Sequence, residues 1–254
     1  MIIVTGGAGL IGANMIWELN RQGEDDILVV DNLASTEKWK NLSHLRYSNY
    51  MHRDKFLEEL RSGKKLEGVD CVIHMGACSS TTERNADFLM ENNFHYTVEL
   101  CLASLEAGAR FITASSAATY GDGELGFSDA LDIMPKLRPL NMYGYSKKLF
   151  DLWCLRHKLL GEVVNLKFFN VGTGHARSWN DLARAVFSSM DREENIEYFD
   201  MPEHLKGKYQ YFTEADMSWL EREGCPVKFH SLEEGVDDYV RNYLMQDDPY
   251  LCTL

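Results

Sequence analysis

Two residues four positions apart in the middle of the chain have the side chains needed for proton transfer. They are Tyr143 and Lys147, in the segment Tyr143-Gly144-Tyr145-Ser146-Lys147. On a helix both side chains project from one face. A lysine ammonium beside a phenol stabilises the phenolate, so the pair can act as acid and base near neutral pH. Tyr145 has Leu149 instead of a lysine four positions later, so we expect it to pack or to touch the edge of a substrate.

A segment rich in hydroxyl groups precedes this pair, at the end of a predicted strand over residues 110–114. It reads Thr113-Ala114-Ser115-Ser116-Ala117-Ala118-Thr119-Tyr120-Gly121. In open α/β folds ligands bind at the carboxyl ends of the strands. We therefore expect the Ser116 hydroxyl to bond the oxygen of a reacting sugar or alcohol. A Tyr-x-x-x-Lys pair alone is common and indicates only an exposed helical pair, so its meaning depends on this context.

The start of the chain carries the second chemical signal, a glycine-rich turn between a predicted strand and a predicted helix. Gly6, Gly9 and Gly12 follow the strand. Glycines allow a tight turn and the close approach of a diphosphate, while the helix N-terminus offers free N–H donors and a positive dipole. Asp31 ends the next predicted strand about 20 residues later, where a carboxylate accepts a bond from a ribose hydroxyl. The pattern predicts a dinucleotide site, with a purely structural turn as the alternative.

The residues around Asp31 leave the dinucleotide open between NAD and NADP. Asp31 itself favours an unphosphorylated ribose, since its charge repels a 2′-phosphate. Asn32 follows it, and Lys38 and Arg53 are cations that can pair with that phosphate. Each cation taken alone fits solvated surface better. On balance we expect NADP, with NAD as the alternative.

The hydrophobic pattern around these motifs predicts an α/β fold. Short, nearly continuous apolar runs alternate with helical periodicity, which is typical of a parallel sheet covered by helices on both faces. We predict a Rossmann-type doubly wound parallel sheet in residues 1–171 and a reduced C-terminal substrate-binding lobe in residues 172–254. The predicted strands are residues 1–5, 26–31, 71–74, 110–114, 163–170 and 196–199, and the predicted helices are residues 10–22, 82–107, 143–160, 178–190, 213–223 and 231–245.

Composition and charge exclude several classes of protein. The 254 residues are 45% hydrophobic and 26% charged, which excludes a disordered or low-complexity chain. The 39 acidic and 26 basic residues give a net charge of −13, so we expect no nucleic-acid partner. No apolar run reaches the ~18 residues of a membrane span and no secretion signal is visible, which predicts a cytoplasmic protein. The six scattered cysteines fit reduced thiols, and the eight histidines lack metal-binding spacing.

Together these motifs resemble the extended short-chain dehydrogenase/reductase superfamily, the NAD-dependent epimerases and dehydratases, and within it the enzymes of nucleotide sugars. The segment Gly-Ala-Cys-Ser-Ser-Thr-Thr-Glu after the predicted strand 71–74 is the most discriminating. The resemblance covers about residues 1–171 and resumes from 172 to about 243. The matching segments are Met1–Gly12, Ile27–Leu33, Gly76–Glu83, Ser115–Gly121, Leu140–Lys147 and Leu205–Asp216.

The resemblance implies a role for each matching residue. Tyr143 would be the catalytic acid/base, Lys147 its partner and a cofactor ligand, and Ser116 a donor to the substrate oxygen. Asn170 and Tyr209 would contact the nucleotide sugar. The cofactor would lie with its diphosphate on Gly6, Gly9, Leu10, Ile11 and Gly12, its adenosine ribose and phosphate by Asp31, Asn32, Lys38 and Arg53, and its nicotinamide side by Gly76, Ala77, Cys78, Ser79, Ser80 and Asn92. For Asn92 a plain surface amide is the alternative.

The activity implied by the resemblance is epimerisation of ADP-D-glycero-D-manno-heptose to its L-glycero epimer, with bound NADP removing and returning a hydride. The chain would work as a homo-oligomer, by analogy with the superfamily. Two alternatives stay open: another nucleotide-sugar epimerase, dehydratase or reductase, and a catalytically impaired dinucleotide-binding protein. The intact Ser116, Tyr143 and Lys147 argue against the second alternative.

The chain departs from the family pattern between Val171 and Gly172. In the pattern, Phe-Asn-Val is followed by a long stretch that supplies substrate loops and a second base, and a later strand ends in Gly-Thr-Gly. Here Val171 passes directly into Gly172-Thr173-Gly174, so roughly seventy residues of the pattern are missing. We expect either a genuine internal deletion or a sequence from which these residues were left out. In both cases no residue occupies the position of the second base.

Overall fold

Six short strands form one parallel sheet in the computed structural model, which describes residues 1–165, 169–203, 206–207 and 210–253. Ile and Val dominate the central strands, and these residues suit a sheet that is buried on both faces. The order across the sheet is β3-β2-β1-β4-β5-β6, so the predicted doubly wound α/β fold is confirmed. The strands are β1 (Ile2–Thr5), β2 (Ile27–Asp31), β3 (Asn49–His52), β4 (Cys71–His74), β5 (Arg110–Thr113) and β6 (Val163–Asn165).

The strand order reverses at β1, which pairs with β2 on one side and with β4 on the other. Thr5 lies opposite Val30 and also opposite His74. Because all pairs are parallel, the carboxyl ends of the strands share one edge of the sheet. Such a reversal opens a crevice at that edge, which is where doubly wound folds bind their ligands.

The helices lie between and after the strands, and several begin at a capping residue. They are α1 (Leu10–Arg21), α2 (Arg53–Arg61), α3 (Ala86–Leu89), α4 (Tyr96–Glu106), α5 (Met142–His157), α6 (Trp179–Ser189), α7 (Ser218–Arg222) and α8 (Leu232–Tyr239). A π-helical turn, Met90–His95, joins α3 to α4. Ser178 and Ser231 open α6 and α8 with capping boxes. Within the described part of the chain, no helix combines the length and apolar character needed to cross a membrane.

Two apolar clusters pack on the sheet, and neighbouring residues of one strand belong to different clusters. Ile3 packs in the cluster that includes Phe111 and Leu100, whereas Val4 packs in the cluster that includes Ile16. Successive side chains of a strand point to opposite faces of a sheet. Both faces of the sheet are therefore covered, which fixes the strand ends that carry the polar motifs.

The chain beyond the Val171–Gly172 junction packs more loosely than the sheet. Helices α6 and α8 pack on each other, and Arg177 pairs with Glu233 between them. Large side chains there stay in solvent: Trp179 is 85% exposed and Phe199 is 87% exposed. Most apolar side chains in this region thus lack the cover that the sheet gives to those of the first half.

The final described residues return to α1. The Thr253 hydroxyl donates to Asn20 Oδ1 at 3.0 Å, and the Trp17 indole donates to the carbonyl of Cys252 at 3.3 Å. Asn20 is buried and also donates to the carbonyls of Glu24 and Arg46. The tail therefore braces the helix whose other end forms the glycine turn.

Several predicted elements differ from the observed ones. Strand β3 and helix α2 were not predicted, since residues 49–61 show neither an apolar run nor a clear apolar stripe. Residues 196–199, all of them described, form no strand, and the helix predicted over 213–223 is shortened to α7. The strand predicted over 163–170 is observed as β6, and residues 166–168 lie outside the described part of the chain.

Candidate active site

The glycine turn joins β1 to α1 at the point where the strand order reverses. Gly6 has a φ of +66°, and a Cβ added there would lie 2.6 Å from the backbone nitrogen of Gly76. At Gly12 a Cβ would overlap the carbonyl of Gly6. Only glycine satisfies both positions, because one needs a positive φ and both need close backbone contact. The first turn of α1 contains no acidic residue, so its free N–H groups and positive dipole end can attract an anion.

Asp31 ends β2 beside this turn and is 7% exposed. Its Oδ2 accepts the backbone N–H of Ala8 at 2.8 Å, so the carboxylate holds the glycine turn in place. Its Oδ1 accepts the Lys38 ammonium at 2.6 Å. The buried charge is thus balanced by a cation, and that cation lies at the same end of the crevice.

A cavity of about 580 Å³ occupies the crevice at the sheet edge and is called the larger cavity below. Its lining includes most of the residues predicted to bind a dinucleotide or to do chemistry. These are Gly6, Gly9, Leu10, Ile11, Gly12, Asp31, Asn32, Lys38, Arg53, Gly76, Ala77, Cys78, Ser79, Asn92, Tyr143 and Lys147. Residues separated by more than a hundred positions in sequence therefore share one cavity.

A second cavity of about 280 Å³, the smaller cavity, adjoins the larger one. Both are lined by Ala114 and Ser115, at the end of β5. Ser116 and Asn170 lie on the smaller cavity and not on the larger one. The Ser116 hydroxyl accepts the N–H of Ala118 at 3.2 Å.

Two predicted site residues fall elsewhere. Ser80 lines neither cavity. Tyr209, predicted to contact a nucleotide sugar, lies outside the described residues. The roles that the resemblance implies for Ser80 and Tyr209 therefore stay predictions.

Helix α5 presents Tyr143 and Lys147 to the larger cavity, as the spacing predicted. Asn141 caps the helix through the N–H of Gly144 at 2.8 Å. Gly144 lies so close to the carbonyl of Ala118 that a Cβ would be 2.6 Å away. The absence of a side chain there lets the helix approach the Ser116 turn closely.

Lys147 is 6% exposed, and the described residues provide no hydrogen bond to its ammonium group. Burial lowers the pKa of Lys147 from 10.5 to about 8, while the carboxylate of Asp151 opposes that shift. Asp151 in turn accepts the hydroxyl of Ser115 at 2.8 Å. A buried cation without a hydrogen-bond partner, on a cavity wall, is suited to bind a ligand oxygen.

Asn93, which the sequence analysis did not single out, joins the loop after β4 to α5. Its Oδ1 accepts the N–H of Cys78 at 2.8 Å, and its Nδ2 donates to the Cys78 carbonyl at 3.0 Å. Nδ2 also donates to the Ser146 hydroxyl at 3.1 Å, which donates to the carbonyl of Tyr143. Asn93 lies in the π-helical turn, a distortion frequent at functional sites. Asn93 therefore holds the loop after β4 and helix α5 at a fixed spacing.

His74 ends β4 beneath the glycine turn and is almost completely buried. Thr97 donates its hydroxyl to the carbonyl of Asn93, so its oxygen accepts from Nε2–H of His74 at 2.9 Å. Nδ1 then accepts the hydroxyl of Thr5 at 2.5 Å. Burial, with a smaller contribution from the Lys147 charge, lowers the pKa of His74 from 6.5 to about 3. The imidazole is therefore a neutral connector between β1 and α4.

The lining also includes aromatic residues that sequence reasoning missed, among them Phe88 and Tyr96. The hydroxyl of Tyr96 is buried and has no hydrogen-bond partner among the described residues. Tyr96 follows Asn92 by four positions, so the helical spacing that linked Tyr143 to Lys147 could also have identified it. Among the described residues no group of His, Cys, Asp or Glu side chains is arranged to hold a metal ion.

The comparisons with known proteins agree with this geometry. A sequence profile described as the NAD dependent epimerase/dehydratase family matches residues 2–211. The chain belongs to this family. The family name implies a nicotinamide dinucleotide as cofactor. The larger cavity lies at the crevice where the strand order reverses, which is where doubly wound folds bind their ligands.

Relatives and solved structures in this family cover nearly the whole chain. ADP-L-glycero-D-manno-heptose-6-epimerase from Nitratidesulfovibrio vulgaris is 48% identical, over 99% of this chain and 100% of the relative. The protein of that name from Fusobacterium nucleatum is 38% identical over the same shares. The crystal structure of the Helicobacter pylori protein of that name has a TM-score of 0.72 at 20% identity and covers 95% of each chain. That structure supports the fold.

The alignments also bear on the prediction that roughly seventy residues of the family pattern are missing from this chain. The alignment with the N. vulgaris relative runs over 323 positions, whereas this chain has 254 residues, a difference of 69. Because both chains are covered almost to their ends, at least that many residues of the relative lie inside the alignment opposite no residue of this chain. The predicted gap of roughly seventy residues agrees with this difference.

Proposed function

We propose that the chain epimerises ADP-D-glycero-D-manno-heptose to ADP-L-glycero-D-manno-heptose with a bound nicotinamide dinucleotide. One observation carries the proposal: Tyr143 and Lys147 lie on a dinucleotide-sized cavity that adjoins a smaller cavity beside Ser116. The smaller cavity is where the sugar would bind. The names of relatives up to 48% identical supply the identity of the sugar.

The chain's own residues fit the dinucleotide. The cofactor diphosphate would lie against Gly6, Gly9 and the first turn of α1, with Gly76–Ser79 and Asn92 on the nicotinamide side. The fit rests on the N-terminus of α1, whose first turn holds no acidic residue, and on the Lys147 ammonium, to which no described residue forms a hydrogen bond. Bound there, the dinucleotide supplies the hydride acceptor and donor.

We further propose NADP as that dinucleotide. Asp31, Asn32, Lys38 and Arg53 line one end of the larger cavity. Asp31 alone would repel a 2′-phosphate, but Lys38 bonds its carboxylate at 2.6 Å and offsets the charge. Arg53 supplies a second cation, which Asn92 orients through a hydrogen bond at 2.5 Å.

The catalytic roles follow from the two cavities. Tyr143 takes the proton from the sugar hydroxyl as the carbon is oxidised and returns a proton when the carbon is reduced. Lys147 favours the phenolate because its charge lies on the same face of α5. Ser116 donates a hydrogen bond to the sugar oxygen from the wall of the smaller cavity.

The test is to incubate the purified protein with ADP-D-glycero-D-manno-heptose and to follow the configuration at C6 by NMR. We expect conversion towards a mixture of both epimers without net consumption of dinucleotide. The L-glycero epimer as starting material should reach the same mixture. Binding of dinucleotide without conversion from either side would contradict the proposed activity.

A second candidate is a dinucleotide-binding protein without turnover, which the shortened lobe and its exposed aromatic residues favour. The intact mass tests whether the roughly seventy residues are truly absent, since the 254-residue chain has a mass of 29.1 kDa, and the conversion assay then separates the two candidates. We also propose that residues 1–171 and 172–254 are the two domains and that the protein is a cytoplasmic homo-oligomer. The six cysteines, all of them in the described part of the chain, form no disulfide, which supports a reducing compartment.

A further inference from the structure

Residues 248–253, called the tail segment below, lie against α1 and against a part of the connection from β2 to β3. That part of the connection, residues 37–46, is called the Lys38 segment. It begins with a 3₁₀-helix, Glu37–Leu42. Hydrogen bonds within such a helix have poorer geometry than those of an α-helix. The position of the Lys38 segment therefore depends on its attachments to the rest of the protein.

Two residues of the Lys38 segment reach the dinucleotide cavity and the glycine turn. Lys38 lines the larger cavity and bonds the Asp31 carboxylate at 2.6 Å. Asn41 donates to the carbonyl of Ala8 at 2.8 Å, and the N–H of Ala8 donates to Asp31 at 2.8 Å. A shift of the segment would thus move the Lys38 ammonium relative to one end of the cavity.

The tail segment bonds the other end of the Lys38 segment. The N–H of Thr253 donates to the carbonyl of His44 at 3.1 Å. The Thr253 hydroxyl lies 3.0 Å from Oδ1 of Asn20 on α1 and 3.2 Å from the same His44 carbonyl. The guanidinium of Arg46 donates to the carbonyl of Thr253, and the ring of His44 pairs with Asp248 at 2.7 Å. Thr253 therefore links α1 to the Lys38 segment.

Apolar packing and a further bond to α1 support this link. Leu251 packs on the apolar cluster that contains the buried Leu42 and Leu45. The Trp17 indole on α1 donates to the carbonyl of Cys252 at 3.3 Å. Because the tail segment contacts both α1 and the Lys38 segment, it holds the two together.

We propose that the tail segment is a positioning element of the dinucleotide site, which fastens the Lys38 segment to α1 and so holds the Lys38 ammonium at one end of the larger cavity. Residues 248–253, all of them described, do not line that cavity, so the effect passes through Lys38. The part of this proposal that concerns the cofactor phosphate rests on the proposed binding of NADP. Loss of the attachment should weaken NADP more than NAD, because NAD lacks the 2′-phosphate.

The first measurement is hydrogen exchange in the ligand-free protein, comparing the parent with Thr253→Pro and Thr253→Ser. Proline removes both the N–H and the hydroxyl, whereas serine keeps both and is the matched control. In Thr253→Pro the amides of Ser43, Leu45 and Arg46, which are bonded within the Lys38 segment or to α1, should exchange at least about tenfold faster. Amides of β1 and β4 should keep the parental rates, which shows that the sheet is intact.

The second measurement is the Kd of NADP and of NAD in fluorescence titrations. In Thr253→Pro the Kd of NADP should rise at least about fivefold while that of NAD stays within about twofold, and Thr253→Ser should bind both as the parent does. In a Lys38→Ala background, Thr253→Pro should change the Kd of NADP by less than about twofold, because the group through which it acts is gone. Asp248→Asn, which weakens the pair with His44, should give a smaller change in the same direction.

Each outcome bears on a separate part of the proposal. Parental exchange rates at residues 43–46 in Thr253→Pro overturn the proposal. Faster exchange with an unchanged ratio of the two Kd values refutes the link to the cofactor phosphate, and additive changes in the double variant refute the action through Lys38. A parent protein without preference for NADP overturns the proposed cofactor. The exchange result, which needs no dinucleotide, still decides whether the tail segment fastens the Lys38 segment.

Discussion

The larger and smaller cavities share the two residues directly after β5, Ala114 and Ser115, yet they are built in different ways. Backbone shape dominates the larger cavity: Gly6 and Gly76 meet at a distance that admits no side chain, and a helix end supplies the donors. The smaller cavity is held by side-chain bonds between segments from both sides of the junction. The larger cavity lies at the edge of a sheet buried on both faces, and the smaller cavity adjoins a lobe with exposed aromatic residues.

This difference explains how a chain shorter by about a fifth than its relatives can keep one site complete. The larger cavity depends on strand ends and on the segments that follow them, all of which precede residue 150. The smaller cavity depends on how residues 210–217 are attached to the first half of the chain, and a change of length at the junction acts on it directly. Binding of dinucleotide and turnover of sugar should therefore respond separately to substitution.

The largest effect should come from Gly6→Ala. Its Cβ would lie 2.6 Å from the nitrogen of Gly76 at a φ of +66°, so the turn and the loop after β4 must separate. We expect dinucleotide binding to be lost, a change of more than about 4 kcal/mol, in a calorimetric titration. Gly23→Ala controls for strain alone, since Gly23 also has a positive φ but open space around it. Binding by Gly6→Ala within tenfold of the parent would contradict the packing described for this turn.

Tyr143→Phe should leave the larger cavity intact and stop the chemistry. Turnover should fall by about 10²–10⁴-fold, because the phenol that moves the proton is gone, while the dinucleotide Kd changes little. Tyr145→Phe is the matched control: Tyr145 is half exposed and lines neither cavity. Equal turnover by Tyr143→Phe and the parent in the NMR assay would remove Tyr143 from the mechanism.

Acid should weaken the sheet through His74. Its folded pKa of about 3 lies below the unfolded value of 6.5, so the unfolded chain takes up the proton first. The contribution of neutral His74 to the free energy of unfolding is complete above pH 6.5 and is lost as the pH falls towards 3. Between pH 7 and 4 the loss is about 3 kcal/mol.

His74→Gln cannot take up that proton, so urea unfolding at several pH values should show a flatter dependence for this variant. The exposed His230→Gln should follow the parent. Parallel curves for the parent and His74→Gln would mean that His74 is not the group that senses acid.

Lys38→Ala tests the phosphate end of the larger cavity. NADP should bind about tenfold more weakly, or about 1.4 kcal/mol, while NAD is little affected because it lacks the 2′-phosphate. Lys40→Ala alters a neighbouring cation that pairs with Glu37 and does not line the cavity. If both dinucleotides lose affinity equally in fluorescence titrations, Lys38 supports Asp31 and does not select the cofactor.

The smallest effect should come from Phe199→Ser in the lobe. Phe199 is 87% exposed, so we expect its removal to change the free energy of unfolding by less than about 0.5 kcal/mol. The matched core change, Phe111→Ala, should cost about 3–5 kcal/mol, since Phe111 is fully buried on β5. A large cost at Phe199 in chemical denaturation would show that the lobe is covered in solution, as by a second copy of the chain.

Prediction from sequence identified the short motifs that the fold brings together, while the roles of their residues stay predictions. The glycine turn, Asp31 and the Tyr143–Lys147 pair each follow from spacing within one strand or one helix, and all of them line the larger cavity. It failed for β3 and α2, whose polar sequence is held by pairing of β3 with β2. Asn93 and His74 were missed as well, because their partners are 15 and 69 positions away.

The sequence by itself determined the family and the alternation of strands and helices, since these depend on short motifs and on local periodicity. Only the tertiary structure decided which polar groups are free to act. Among the described residues, folding provides no hydrogen bond to the Lys147 ammonium on the cavity wall and engages both donors of the Asn170 amide. The physical reason is that a buried polar group either forms its hydrogen bonds within the protein or keeps them for a ligand. Which of the two happens depends on segments that are far apart in the chain.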